Sequence, residues 1–159
     1  MKTKSLIISI FLIGLVLPAV CQGPAFNGQW KINKEKSTID YNQLYLTKIN
    51  ISLKSDSIFT TRFYLDPNGQ EYPFDENLAL NGKESKMVIF DMPRVSKAQK
   101  SPDGGILIES KTTFSGEMGE DNLVAKETWK TADQGKTLVF DFTNVMTGQE
   151  MKGIFYFVK

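Results

Sequence analysis

From Lys48 onward the chain interrupts itself at short, regular intervals with turn signals: Asp66-Pro67-Asn68-Gly69, Asn81-Gly82, Pro102-Asp103-Gly104-Gly105, Asp133-Gln134-Gly135 and Thr147-Gly148. Gly supplies the positive φ that a tight reversal needs, and Pro presets one turn dihedral. In the first stretch, Ile49, Ile51 and Leu53 alternate with Lys48, Asn50, Ser52 and Lys54, the period-two signature of a half-buried strand. In the next, Phe59, Thr61, Phe63 and Leu65 alternate with Ile58, Thr60, Arg62 and Tyr64, and its β-branched and aromatic content suits a strand.

The pattern continues to the last residues. Phe74 to Leu80 and Lys86 to Met92 flank Asn81-Gly82, a strong hairpin signal, and Pro93 closes the second of them because it donates nothing to a ladder. Val95 to Lys100 reads as a weaker, polar strand at an edge or rim, followed by Ile106 to Phe114, Leu123 to Thr131, Leu138 to Val145 and Met151 to Val158. Ser37 to Leu44 reads as one short helix or a loop. About eight strands, nine at most, favour an all-β antiparallel meander closing as a barrel or packing as a sandwich. Closure is the stronger expectation, since a meander with two free edges invites aggregation. The last strand is apolar on both faces, with Phe155 and Phe157 on one and Ile154, Tyr156 and Val158 on the other, so its outer side calls for a cover from Trp30 or from the Ser37 to Leu46 segment.

The beginning of the chain is a different kind of sequence. Lys2 and Lys4 precede an apolar run from Leu6 to Leu17, and Pro18-Ala19-Val20-Cys21 follows, which is the layout of a secretory signal peptide. The run is shorter than the ~20 residues that span a bilayer. Cleavage after Cys21 divides the chain into a signal peptide, residues 1–21, and a domain, residues 22–159, that is periplasmic or secreted. The rival is lipidation at Cys21, for which Pro18 and Val20 occupy positions where the lipoprotein signal normally has Leu and a small residue. Removing Lys2 and Lys4 takes the basic residues from 19 to 17, against 18 acidic ones, so no basic excess points to nucleic acid or an anionic membrane. Cys21 is the only cysteine, so a domain cleaved after it has no disulfide and must rely on its core.

Phe26-Asn27-Gly28-Gln29-Trp30-Lys31 lies just inside that boundary. Gly lets a backbone pass closely, and a buried Trp offers a large apolar face with one N–H that needs a partner. Phe-x-Gly-x-Trp-Lys followed by a meander of this length resembles the lipocalin and fatty-acid-binding-protein group, and more closely its bacterial exported lipocalin-like domains. The resemblance implies a single up-and-down β-barrel of about eight strands, with Gly28 and Trp30 plugging one end. Two departures stand out. Lipocalins commonly lay an Arg from late in the barrel against that Trp, but the only arginines here are Arg62 and Arg94. Fatty-acid-binding proteins clamp a carboxylate with Arg-x-Tyr in the last strand, where this chain has Phe155-Tyr156-Phe157. An apolar or neutral ligand therefore fits better than a carboxylate.

An eight-stranded barrel has room for packed side chains or one small ligand. The candidate inward ligand-binding residues are Phe59, Phe63, Trp129, Phe140, Phe142, Phe155 and Phe157, which would otherwise be ordinary core. Thr61, Ser110, Thr112, Glu127 and Asn144 are the polar groups interleaved on those faces; they orient a ligand or, if bulges shift the phase, face solvent. Catalysis has little to stand on. With no histidine the Ser–His and Cys–His systems are excluded, and no glycine-rich phosphate loop follows a strand. Asp75-Glu76 and the loop from Glu117 to Asn122 are the densest acidic spots, but neither has an EF-hand spacing, and no metal or cofactor is expected. The sequence thus points to a non-enzymatic, exported barrel that binds a small hydrophobic molecule non-covalently. The alternative is a solid-core structural or protein-interaction module, and an enzyme built on paired carboxylates stands third.

Overall fold

Ten strands make up a computed structural model that describes residues 25–116 and 119–159. They are β1 (Gly28–Ile32), β2 (Tyr45–Leu53), β3 (Ser57–Leu65), β4 (Glu71–Ala79), β5 (Asn81–Ile89), β6 (Met92–Lys100), β7 (Ile106–Gly116), β8 (Gly119–Ala132), β9 (Thr137–Met146) and β10 (Gln149–Val158). The expected signal peptide, residues 1–21, and Glu117 of the acidic loop lie outside the described residues. All ten strands form one antiparallel sheet in the order β4-β3-β2-β1-β10-β9-β8-β7-β6-β5. First and last strands pair through Lys31 opposite Val158 and Ile32 opposite Phe157. The result is an up-and-down, nearly closed antiparallel barrel, consistent with a calycin-like fold. No helix among the described residues is long and apolar enough to cross a membrane.

The strand count exceeds the expected eight or nine because the Gly28 to Ile32 stretch is itself a strand, bonded to β2 on one side and β10 on the other. Gly28 enters it at φ +127°, a conformation that L side chains rarely adopt. Trp30 is 0% exposed, and its indole donates a 2.7 Å hydrogen bond to the Phe26 carbonyl. A cation lies over its ring: Lys159 Nζ is 4.6 Å from the Trp30 ring centroid. Around Trp30 the interior is solid, packed with Phe26, Ile49, Ile51, Ile58, Leu78, Ala98, Ile106, Leu138 and Phe157.

The sheet remains open at one seam, and three sequence expectations give way there. Asn81-Gly82 joins β4 to β5 but makes no hairpin, because those two strands are the sheet's borders and share no ladder. Val95 to Lys100, expected at an edge, belongs to β6 and is bonded to both β5 and β7. Pro93 does not end a strand: it lies within β6 opposite Val88, and the chain turns earlier, at Phe90 and Asp91, both with positive φ. The reason is that the inner face of β6 carries Arg94 and Ser96, which bond side chain to side chain with Glu76 of β4. Contacts across the barrel, invisible to a local reading, replace the missing backbone ladder.

Candidate functional site

β1 is short and β10 long, so the upper edge of β10 needs another partner. A strap of chain between β1 and β2 supplies it. Asn33 N–H donates to the Tyr156 carbonyl and Thr38 N–H to the Ile154 carbonyl, while Ser37 Oγ and Thr38 Oγ1 accept from the Tyr156 and Ile154 amides. The segment expected to cover the last strand thus sits on its edge and, at Thr38, on its inner side. Gly153 makes this close approach feasible, since a Cβ there would lie 2.7 Å from Phe142 Cζ and 2.8 Å from Thr38 Cβ.

Beyond the strap the interior is not filled. One cavity of about 260 Å³ lies under it, walled by Thr38, Ile39, Tyr45, Tyr64, Phe140, Phe142 and Phe155. A second, of about 500 Å³, runs toward the end of the barrel where Leu44, Phe90, Met146 and Met151 are exposed. The two share Gln43, Leu44, Tyr64, Glu127, Asn144 and Met151 as walls. The larger falls within the ~300–1,000 Å³ usual for small-molecule sites, and the mixture of aromatic wall and few polar groups is typical of them.

The floor of this space is a chain of alternating charges. Arg62 Nη1 donates to Glu127 Oε1 at 2.7 Å, and Arg62 Nη2 lies 3.6 Å from Glu76 Oε2. Glu76 Oε1 in turn accepts from Arg94 Nε at 3.2 Å and from Ser96 Oγ at 2.6 Å. Arg94 Nη1 also donates to Thr112, and the Trp129 indole donates to Glu127 Oε2 at 2.8 Å. Arg62 and Glu76 are only 1% and 2% exposed. Burial alone would lower the Arg62 pKa, but attraction to Glu127, with Glu76 assisting, raises it. Burial would likewise raise that of Glu127, and the neighbouring charge and hydrogen bond of Arg62 bring it below its ordinary value. Arg62 Nε and Nη2, Thr60 Oγ1 and Glu76 Oε2 have no hydrogen-bond partner among the described residues.

Most of the sequence-predicted residues meet in this interior, and three do not. Phe140, Phe142, Phe155, Glu127 and Asn144 wall the first cavity. Trp129 and Phe157 are packed beneath it, Trp129 stacked on Phe140 at 4.0 Å between ring centroids, with Phe140 in turn against Phe157. Ser110 and Thr112 also face inward and are buried. Phe59 and Phe63 do not: Phe59 is 41% exposed and Phe63 lies outside under Lys48, whose Nζ is 4.2 Å from its ring centroid. Thr61 shares their outer face. Register decides this, because Ile49 and Ile51 are buried and stand opposite Arg62 and Thr60, which puts the other half of β3 outside. An arginine in the middle of a strand reads as an outward residue until its distant partners, Glu76 and Glu127, are known. Arg62, Arg94, Glu76, Tyr45 and Tyr64 and the strap residues Thr38 to Leu44 were therefore missed as site residues.

No three acidic or cysteine side chains among the described residues gather as metal ligands would. Comparison with models of protein families finds none that matches this chain, and none of the curated proteins matches it either.

Proposed function

We propose that this chain is an exported, lipocalin-like carrier that binds a small, mainly apolar molecule non-covalently inside its barrel. The observation that carries the reading is the unfilled aromatic space between the strap and the inner faces of β9 and β10, at the end opposite the Trp30 plug. A barrel serving only as a scaffold gains by closing such a space, since each unfilled volume forgoes contacts that a larger side chain would make. The solid-core module is less favoured for the same reason. Enzymatic action is not part of the proposal: both interior carboxylates are engaged by guanidinium groups, so neither is free to face a substrate as acid or base.

Titration with N-phenyl-1-naphthylamine, an uncharged dye that brightens in apolar surroundings, tests the reading, together with native mass spectrometry of protein from its own host. Saturable dye uptake that is weakened by an Ala125→Trp substitution, which fills the larger of the two adjoining cavities, is the expected result. Ala125 is buried, faces inward and walls the larger cavity. A folded wild-type protein that takes up no dye and carries no copurified molecule would overturn the carrier reading.

A further inference from the structure

The charges on the cavity floor constrain the ligand more sharply than its aromatic wall does. Two guanidinium groups, Arg62 and Arg94, meet two carboxylates, Glu76 and Glu127, in the alternating order Glu127–Arg62–Glu76–Arg94. Each arginine already has its counter-charge. Among the described residues no lysine lines either cavity, and of the other charged side chains on their walls, Asp40 and Glu150, the second is paired with Lys152. A ligand charge of either sign entering this space would leave water and meet a floor whose charges are already paired with one another. A charge left buried without a partner forfeits its hydration, and no apolar contact makes up that loss.

From this balance we infer that the cavity selects an uncharged amphiphile, such as an alcohol, ester or amide with an apolar tail, and discriminates against the carboxylate of the same tail. The inference rests on the carrier reading above and specifies its ligand. The tail lies along Phe140, Phe142 and Phe155, and the polar end meets the rim of the charge chain at Glu127, Tyr64 and Asn144, the groups both cavities share. These offer both hydrogen-bond acceptors and donors, so a hydroxyl or amide is satisfied without bringing a charge of its own. A second consequence is specific to this arrangement. Removing the charge of Glu127 alone frees Arg62 and turns the site into a carboxylate receptor, whereas removing both members of the pair does not.

Competition against bound N-phenyl-1-naphthylamine reads this directly, with dodecanol, dodecanoate and dodecylammonium as competitors at mildly alkaline pH. Wild-type protein should release the dye to dodecanol at a concentration at least about tenfold below that needed with either charged analogue, a modest share of the buried-charge penalty. Glu127→Gln should raise the affinity for dodecanoate relative to dodecanol by about tenfold, and Arg62→Gln with Glu127→Gln should restore the wild-type ratio. Dodecanoate or dodecylammonium binding the wild type as well as dodecanol does would overturn the inference, and this comparison needs no variant to fold. An unchanged ratio of the dodecanoate and dodecanol affinities in folded Glu127→Gln would overturn it too. Absence of dye binding to folded wild type would instead remove the carrier reading, and this inference with it.

Discussion

Replacing Glu76 by Gln tests whether side chains hold the barrel together where its backbone ladder is missing. Glu76 stands on β4, one border of the sheet, and its carboxylate reaches Arg94 at 3.2 Å and Ser96 at 2.6 Å on β6, beyond the other border, and Arg62 on β3 at 3.6 Å. Glu76, Arg62 and Ser96 are at most 2% exposed, so solvent screens the group little. Breaking a buried pair by removing one partner typically costs ~3–5 kcal/mol, because the remaining charge is stranded. Gln keeps one oxygen to accept from Ser96 but places its NH₂ toward a guanidinium, so the lower end of that range, about 3 kcal/mol, is expected. With a urea m-value of about 2 kcal/mol/M, the unfolding midpoint should fall by about 1.5 M without a change in slope. Glu150→Gln removes the exposed partner of Lys152 and should barely move the midpoint, as surface pairs rarely contribute. A fall of less than about 0.5 M for Glu76→Gln at unchanged m would refute the reasoning, since the seam would then be held by something other than this carboxylate.

Three further outcomes follow from the same geometry. Gly153→Ala forces a methyl between Phe142 and Thr38, so it should cost about 1–3 kcal/mol and speed hydrogen exchange at the Ile154 and Tyr156 amides, which are bonded to the strap. Unchanged exchange at those two amides would show that the strap does not depend on Gly153. Dye binding should alter tryptophan fluorescence in Trp30→Phe but not in Trp129→Phe, because Trp129 lies against Phe140 and Glu127 of the cavity while Trp30 is at the solid end; equal responses would refute that placement. For Glu127 the folded pKa lies below its ordinary value of 4.5, so its contribution to stability is present above that value and is lost as pH falls through the lower, folded one. The acid limb of a stability–pH curve should be shallower in the Arg62→Gln, Glu127→Gln double variant, though not flat, since Asp66, Asp103 and Glu109 are shifted the same way. Superimposable acid limbs would refute the role given to Glu127.

What the sequence disclosed and what it withheld divide along the range of the interactions. Thr147-Gly148, Pro102 to Gly105 and the alternation of Ile49 with Ile51 are local facts about φ and pleat, and they gave the antiparallel meander almost strand for strand. Closure through the first and last strands followed from the cost of free edges, yet the place where the sheet stays open did not, because Asn81-Gly82 has the chemistry of a hairpin and lacks only the geometry. In β3 the choice of face went to the aromatic half, Phe59 and Phe63, since apolar residues are the default interior. The protein instead buries Arg62, a choice that makes sense only with Glu76 fourteen residues later and Glu127 sixty-five residues later in place. Glu127 and Asn144 were legible as polar groups among aromatics; Arg62, to which Glu127 is bonded, was not.

The charge chain has to be weighed against what could have replaced it. A buried ion network is often no more stable than well-packed apolar residues of the same volume, so stability alone does not account for four ionisable groups inside this barrel. Position adds a reason. Glu76 spans the one seam without a ladder, where directional bonds to Arg94 and Ser96 fix the approach of β4 to β6 in a way that apolar contacts, which are non-directional, do not. Balance adds another. Because Glu127 and Glu76 neutralise Arg62 and Arg94 pair by pair, the network can border an apolar cavity without drawing a counter-ion into it. The same four residues thus explain why the barrel can leave a seam unpaired and why the space above them favours a molecule without charge, and a variant that unbalances them separates the two effects: Glu76→Gln acts chiefly on the midpoint of unfolding, and Glu127→Gln on the choice of ligand.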